Sequence, residues 1–308
     1  MDALVSIIIP TFNRPKWLEA AIRSSTDQSY QLIEVIVIDD GSQPRVNQQV
    51  LEQFHNVKYI YQENSGLGAA RNAGLAISQG NYIQFLDDDD WLSPDAIQVK
   101  LSEFVSKPDL GVVYSDLYLT NENGNISSKC FEHMFRPLPS GDLYSILVER
   151  NFIPIHSLLW KRQVLEDVGG FPNRSGLEDW ECLVRAAEFS TFSALDIPLG
   201  YYRKHQLSMS RDFDSMYQSK LNFQTYISES KRFGLLPSKQ RNRLLTRFAF
   251  QQWAYGDPQK AYHFLDLALQ DNPSAKMPVL VRRFMLMGKP VAKWLVRVRG
   301  LVWQKIHR

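Results

Sequence analysis

Four short runs rich in β-branched and aromatic residues, each followed by polar residues or a turn, constrain this chain more than any other feature. They are VSIII at 5–9, stopped by Pro10; EVIVI at 34–38, stopped by Asp39-Asp40-Gly41-Ser42; VKYIY at 57–61; and YIQFL at 82–86, followed at once by Asp87-Asp88-Asp89-Asp90. Between them, residues 17–25 place Leu18, Ala21 and Ile22 on one helical face, and 44–54, 66–78 and 94–105 also read as helices. Strand and helix thus alternate, which predicts an α/β fold with a mostly parallel sheet covered by helices on both faces. In such sheets ligands bind beyond the carboxyl ends of the strands. Asn13, Asp39-Asp40 and the run of four aspartates all fall at that edge, so one shared site is expected there.

Beyond the acidic run the pattern is less regular. Residues 112–114, 117–119 and 197–203 read as strands, Asn123-Gly124 as a hairpin turn, and 180–189 as a helix. No strand signal survives past 211, and 240–271 reads as two antiparallel helices broken at Gly256-Asp257-Pro258. The expected division is a catalytic domain over 1–215 and a helical region over 216–308. Two cysteines in 308 residues argue against a disulfide framework. There is no basic segment leading into an apolar stretch at the start, and no apolar run reaches the roughly 18 residues of a membrane span. A cytoplasmic location is expected.

Four adjacent carboxylates after a buried strand repel one another, and a hard divalent cation with oxygen ligands relieves that repulsion. The plainer reading is an acidic turn leading to the helix at 94–105, with Ser93 as its cap. Asp39-Asp40-Gly41-Ser42 is either a tight turn or a carboxylate acceptor for a nucleobase or ribose. Residues 68–74 (GAARNAG) permit close backbone approach, and Arg71 within them could meet a phosphate or a base. Glu178-Asp179 either caps the helix at 180–189 or supplies a general base. His205 is structural, or completes a metal site that carboxylates leave open.

Taken in order, VSIIIPTFNR at 5–14, VIVIDDGS at 35–42, GAARNAG at 68–74, GNYIQFLDDDDW at 80–91, Gly169-Gly170-Phe171, Glu178-Asp179-Trp180 and YRKHQLSMS at 202–210 resemble glycosyltransferase family 2. The resemblance spans residues 4–210. It implies a GT-A fold, a Rossmann-like mixed and mostly parallel sheet flanked by helices. It also implies an inverting transfer of sugar from a nucleotide-sugar, expected to be a UDP-sugar, to an acceptor hydroxyl in surface polysaccharide or glycoconjugate synthesis. Pro10, Thr11, Phe12 and Asn13 would line the nucleotide pocket, with Asp39, Asp40 and Arg71 at the base and Asp88 facing the ribose. The family's DXD motif maps onto Asp87-Asp88-Asp89. Asp89 and Asp87, with His205, would hold Mg²⁺ or Mn²⁺ against the diphosphate, and Asp179 would be the catalytic base. Asp90 leaves the register of that motif open by one residue.

Residues 276–308 hold nine of the basic residues and no acid, which leaves the other residues at net −7 against a whole-chain +2. Val291, Trp294, Leu295, Val298, Leu301 and Val302 recur at helical spacing among Lys293, Arg297 and Arg299. This is a basic amphipathic helix, suited to an anionic membrane surface or else to packing on the catalytic domain. Expected partners are thus a nucleotide-sugar donor, a glycan or lipid-linked acceptor, and that membrane surface through 276–308. No aromatic-basic module for nucleic acid accompanies the tail. Two other classes compete: a sugar-nucleotide-binding protein without turnover, against which Asp179 stands, and a nucleotidyltransferase, whose glycine-rich phosphate loop is replaced here by Pro10-Thr11-Phe12-Asn13-Arg14.

Overall fold

The computed structural model describes residues 3–54, 56–131, 137–172, 176–205 and 213–285. Chain contacts divide it into two compact units, Met1–Met209 and Ser210–Arg308.

The first unit is built on strands β1 (Val5–Thr11), β2 (Ile33–Asp39), β3 (Val57–Tyr61), β4 (Tyr82–Phe85), β5 (Trp91–Leu92), β6 (Leu110–Thr120), β7 (Ile126–Lys129), β8 (Leu158–Lys161) and β9 (Thr191–Arg203). They form one sheet in the order β3-β2-β1-β4-β8-β6-β9-β5, with β7 on β6. Pairing is parallel through β3, β2, β1 and β4, and again between β6 and β9. It is antiparallel where β8 enters between β4 and β6, and along β5 and β7. The parallel rule read from the first runs therefore holds for the first four strands, and the rest of the sheet is mixed. Every residue of β1 is buried, as a strand covered on both faces requires.

Helices α1 (Pro15–Thr26), α2 (Gln48–Leu51), α3 (Leu67–Ile77), α4 (Ala96–Ser106), α5 (Tyr144–Leu147), α6 (Arg162–Val168) and α7 (Glu178–Ala187) complete this unit. Leu18, Ala21 and Ile22 of α1 pack with Ile7, Ile9, Val35 and Val37 in the main core. Helix α3 lies so close to the sheet that a Cβ on Gly74 would run into the Ile8 side chain, so the glycine serves packing there.

Four local expectations change. The helix expected over 44–54 shrinks to α2, because the Val46 amide bonds to Asp39 Oδ2 and Asn47 becomes the cap. Ser93 does not cap α4 with its side chain. Its carbonyl accepts from Ala96 and Gln28 instead, and Asp95 stands at the cap. The two runs at 112–114 and 117–119 are one strand, since Ser115 and Asp116 are buried in line and Asp116 Oδ1 accepts from the Leu117 and Phe131 amides. Strand β9 begins at Thr191 rather than 197, held there by parallel pairing with β6.

The second unit is helical among its described residues: α8 (Phe213–Glu229), α9 (Lys231–Leu235), α10 (Ser238–Tyr255), α11 (Pro258–Asp271) and α12 (Lys276–Met285). Asp257 caps α11 by accepting from the Gln259 amide, and Asn242 ties α10 to α11 through the Ala268 carbonyl. In α12, Val281 and Met285 are buried, whereas Met277, Val279 and Leu280 are exposed beside Lys276, Arg282 and Arg283. The amphipathic positions expected from 291 to 302 lie outside the described residues, as do 206–210.

Candidate functional site

The site grows from the carboxyl ends of β1, β2 and β4. Register places Thr11 beside Asp39, and the Leu86 amide bonds to the Ile8 carbonyl. The acidic run therefore leaves β4 next to the Pro10–Arg14 turn, and each of its carboxylates meets different partners. Arg71 donates to Asp87 Oδ1 at 2.8 Å. Thr11 Oγ1 donates to Asp88 at 2.7 Å, with Arg14 at 3.4 Å. Asp89 Oδ2 lies 2.8 Å from both Arg14 Nη1 and His205 Nε2, and the His205 ring leans on Trp17. Asp90 Oδ1 accepts from the Arg203 amide, and its Oδ2 lies 3.0 Å from His156 Nδ1.

Burial sets the electrostatics. Asp88 is pushed up to about 7 by burial and then by its neighbour Asp89. Asp90 is pushed up to about 6, again chiefly by burial. Burial opposes the charge on Asp87 too, but Arg71 and His156 hold its carboxyl below the usual range. Burial would neutralise His156, and Asp90 outweighs it and raises the imidazole.

The residues present suit a hard divalent ion. Ligand atoms of Asp87, Asp90 and His156 all lie within 4.8 Å of one another. Asp90 Oδ2 faces His156 Nδ1 across their ion pair, and His156 Nε2 is buried without a hydrogen-bond partner. Oxygen and imidazole donors of this kind match Mg²⁺ or Mn²⁺. Asp89 and His205, expected from the sequence as metal ligands, lie in contact with each other and outside that group of three.

Asp39 and Asp40 are spent largely on the local backbone. Asp39 accepts from the Ser42 and Val46 amides and the Tyr59 hydroxyl. Burial works against its charge, and the Ser42 and Tyr59 bonds hold it below the usual range. Asp40 accepts from Gln62 and from the Ser65 and Gly66 amides. A carboxylate offers about four acceptor positions; the fully buried Asp39 also bonds the Ser42 side chain and keeps none, whereas Asp40 keeps roughly one for a ligand. Asn13, at φ 54°, joins the two turns: its amide donates to Ser42 Oγ, and its Oδ1 accepts from the Gln43 amide. Pro10 and Thr11 are buried, whereas Phe12 stands 45% exposed at the strand end.

Asp179 lies in the first turn of α7, a position that the helix dipole favours for an anion. Leu177 just before it has φ 122°, a strained value for a residue with a side chain, of the sort found at functional sites. Asn151 Nδ2 donates to Asp179 Oδ2 at 3.1 Å, and the Trp180 amide donates to Oδ1 at 2.7 Å. The Asp179 carboxyl is pushed up to about 6 by burial first and the adjacent Glu178 second. Arg71 is almost wholly buried, and its Nη1 donates to Glu178 at 3.0 Å while its Nη2 holds Asp87.

Sequence reasoning left Arg14, Asn151 and His156 off the site and named Glu178 only beside Asp179. Arg14 ended a quoted motif, so its place beside strand-end carboxylates was within reach. His156 has no spacing in the sequence that ties it to Asp90, sixty-six residues earlier.

The model for Glycosyl transferase family 2 matches residues 6–169. Glycosyltransferase GlyA of Streptococcus pneumoniae serotype 4 is 36% identical over 121 residues, covering 37% of this chain and 17% of that protein. The chain spans 17% to 64% of the length of the first three curated relatives it matches. The S. aureus TarS 1–349 structure in complex with UDP-GlcNAc aligns with a TM-score of 0.65 and 17% identity, covering 96% of this chain and 91% of that one. The mannosyltransferase PcManGT from Pyrobaculum calidifontis, in complex with GDP-Man and Mn²⁺, aligns at 0.55 and 16%, covering 95% and 83%. These two likenesses concern the fold.

Proposed function

Because this chain belongs to glycosyltransferase family 2 and has the GT-A fold, we propose that it transfers a sugar from a nucleoside-diphosphate sugar to an acceptor hydroxyl, with inversion, in polysaccharide or glycoconjugate synthesis. The observation that carries this reading is the buried Arg71, which joins the acidic run to the helix start that bears Asp179. A strand-end cation site and a candidate base are thereby parts of one site.

A divalent ion held by the run would offset charge gathering on the departing diphosphate. Asp89, Asp87 and His205 are its proposed ligands, and Asp88, tied to Thr11, faces the nucleotide. Phe12 offers an exposed ring to the base, Asp39 shapes the pocket, and Asp40 keeps an acceptor position. Arg71 acts through Asp87 and Glu178, since its guanidinium is buried between them. Asp179 takes the proton of the acceptor hydroxyl as that oxygen attacks the sugar carbon. Burial keeps this carboxyl basic enough to accept a proton near neutral pH.

The TarS and PcManGT complexes carry a UDP-sugar and a GDP-sugar respectively, and we propose a UDP-sugar donor here. A screen of UDP- and GDP-sugars with and without Mn²⁺, scoring both transfer and donor hydrolysis, tests the proposal. Turnover of one donor that stops on chelation is expected. Full activity after complete metal removal contradicts the metal assignment, and nucleotidyl transfer instead of sugar transfer contradicts the reaction.

Among the described residues no helix is long and apolar enough to cross a membrane. The exposed Met277, Val279 and Leu280 beside Lys276, Arg282 and Arg283 favour a peripheral role for 276–308 on an anionic cytoplasmic membrane face. Binding to phosphatidylglycerol vesicles that is lost on deleting 276–308 is expected, and equal binding by the truncated chain contradicts it.

A further inference from the structure

Asp179 and Trp180, neighbours in the first turn of α7, both reach to one stretch of chain that follows α5. Trp180 Nε1 donates to the Leu147 carbonyl at 2.6 Å, and Asp179 Oδ2 accepts from Asn151 Nδ2 at 3.1 Å. The far side of that stretch is anchored as well. Phe152 and Ile153 are buried, and the Phe152 ring lies edge-on to Tyr114 and Phe131. Asn151 is thus pinned on both sides by contacts that do not involve Asp179.

The direction of its amide is set too. Asn151 Oδ1 accepts from the Ile153 amide at 3.2 Å. The oxygen therefore turns back on its own chain, and the nitrogen, which only donates, meets the carboxylate. The other Asp179 oxygen accepts from the Trp180 amide at 2.7 Å. Among the described residues each oxygen of Asp179 has one donor. About two of the roughly four acceptor positions of a carboxylate then stay open. A neutral amide aligns the group without adding a formal charge that would hold it ionised.

We infer that Asn151 is a positioning residue for the candidate base: its amide holds the Asp179 carboxylate at one rotation, with the same lone pairs open to an acceptor hydroxyl. The inference rests on the reading of Asp179 as the base. Asn151 gives up no proton itself, and the proton of the hydroxyl goes to Asp179.

Two substitutions separate orientation from mere stiffening of the turn. Asn151→Ala removes both bonds of the amide. Asn151→Asp has nearly the same shape and keeps an acceptor for the Ile153 amide, but at about pH 8 it is ionised and has no proton to give Asp179. A residue that only stiffens its turn tolerates Asn151→Asp, and a residue that orients Asp179 does not. The assay is UDP release from a mixture of UDP-hexoses and UDP-N-acetylhexosamines by the full chain in Mn²⁺, with water as the acceptor. Both variants should lose about 10–100-fold in kcat, with UDP affinity in Mn²⁺ unchanged. Near-parental release by Asn151→Asp, or UDP affinity lost together with release, overturns the inference. Retained release by Asp179→Asn removes the base reading itself. Release lost in Asp179→Asn but kept in both Asn151 variants keeps the base and removes the positioning role. The ¹⁵N NMR signal of the Asn151 side-chain amide, assigned by its absence from Asn151→Asp or Asn151→Ala, decides where a variant fails to fold or the parent releases no UDP. One of its protons should be protected from exchange with water, and Asp179→Ala should abolish that protection. An unprotected amide, or one indifferent to Asp179→Ala, overturns the inference.

Discussion

At the end of β4, four carboxylates are held by partners from the β1 turn, α3, the segment before β8 and the end of β9. At the start of α7, Asp179 has one neutral side-chain donor, Asn151, and the amide of its own neighbour Trp180. Both places bury acids, and burial raises Asp88, Asp90 and Asp179 alike. The difference lies in what balances the charge. The acidic run is built to be neutralised by several cations from outside its own element, as a site for a divalent ion would be. Next to Asp179 in the chain, Glu178 shares the Arg71 guanidinium with Asp87. The first arrangement suits groups that together hold a ligand, the second a group that exchanges a proton with an acceptor.

The largest effect should come from the run itself. Asp89→Asn removes the carboxylate shared by Arg14 and His205, and kcat is expected to fall roughly a thousandfold, as when a group that stabilises developing charge is lost. His205→Asn should cost less, about 10–100-fold. Steady-state kinetics at saturating Mn²⁺ check both, and equal losses would erase the distinction between carboxylate and imidazole.

Arg71→Met should destabilise the fold by about 3–5 kcal/mol, since it strands the buried Glu178 and takes the cation from the partly exposed Asp87. Urea unfolding measures this. Arg14, whose side chain is 20% exposed, should cost clearly less when changed to Met. A smaller loss of about 1–3 kcal/mol is expected for Gly74→Ala, where α3 must move away from Ile8.

The pH dependence is subtler. The folded-state values of Asp88 and Asp90 lie above the ordinary 3.8, so the native state binds more protons than the unfolded chain between about pH 4 and pH 7. Stability from these groups therefore declines as pH rises through that window. A bound cation removes the penalty but must compete with the protons at lower pH. The rise in Tm on adding Mn²⁺ should thus be larger near about pH 7.5 than near about pH 5.5. The opposite trend would mean that the ion does not relieve the charge on these carboxylates.

Much of the fold was legible because strong periodicity and the strand-end motifs agree. The strands at 5–9, 34–38, 57–61 and 82–86 stand where their apolar runs put them. The later half was harder to read, because its pairings are distant in sequence. Strand β8 enters antiparallel between β4 and β6, and nothing in LLWK announces that. In the site, the acidic run, Asp179 and His205 could be read from local motifs. The carboxylates of Asp39 and Asp40 looked free for a base, yet they mostly satisfy loop amides. Arg71 could be noticed as a cation in a glycine-flanked helix start, but its two acids lie 16 and 107 residues away.

The central claim is that the acidic run serves the leaving group while Asp179 serves the acceptor. Asp179→Asn tests it most directly, with transfer rate and nucleotide-sugar binding measured on the same preparation. A loss of about a hundred- to ten-thousandfold in kcat, with donor affinity in Mn²⁺ unchanged, is the predicted result. Loss of donor binding together with transfer would make Asp179 a structural or donor-side residue and contradict the division of the site.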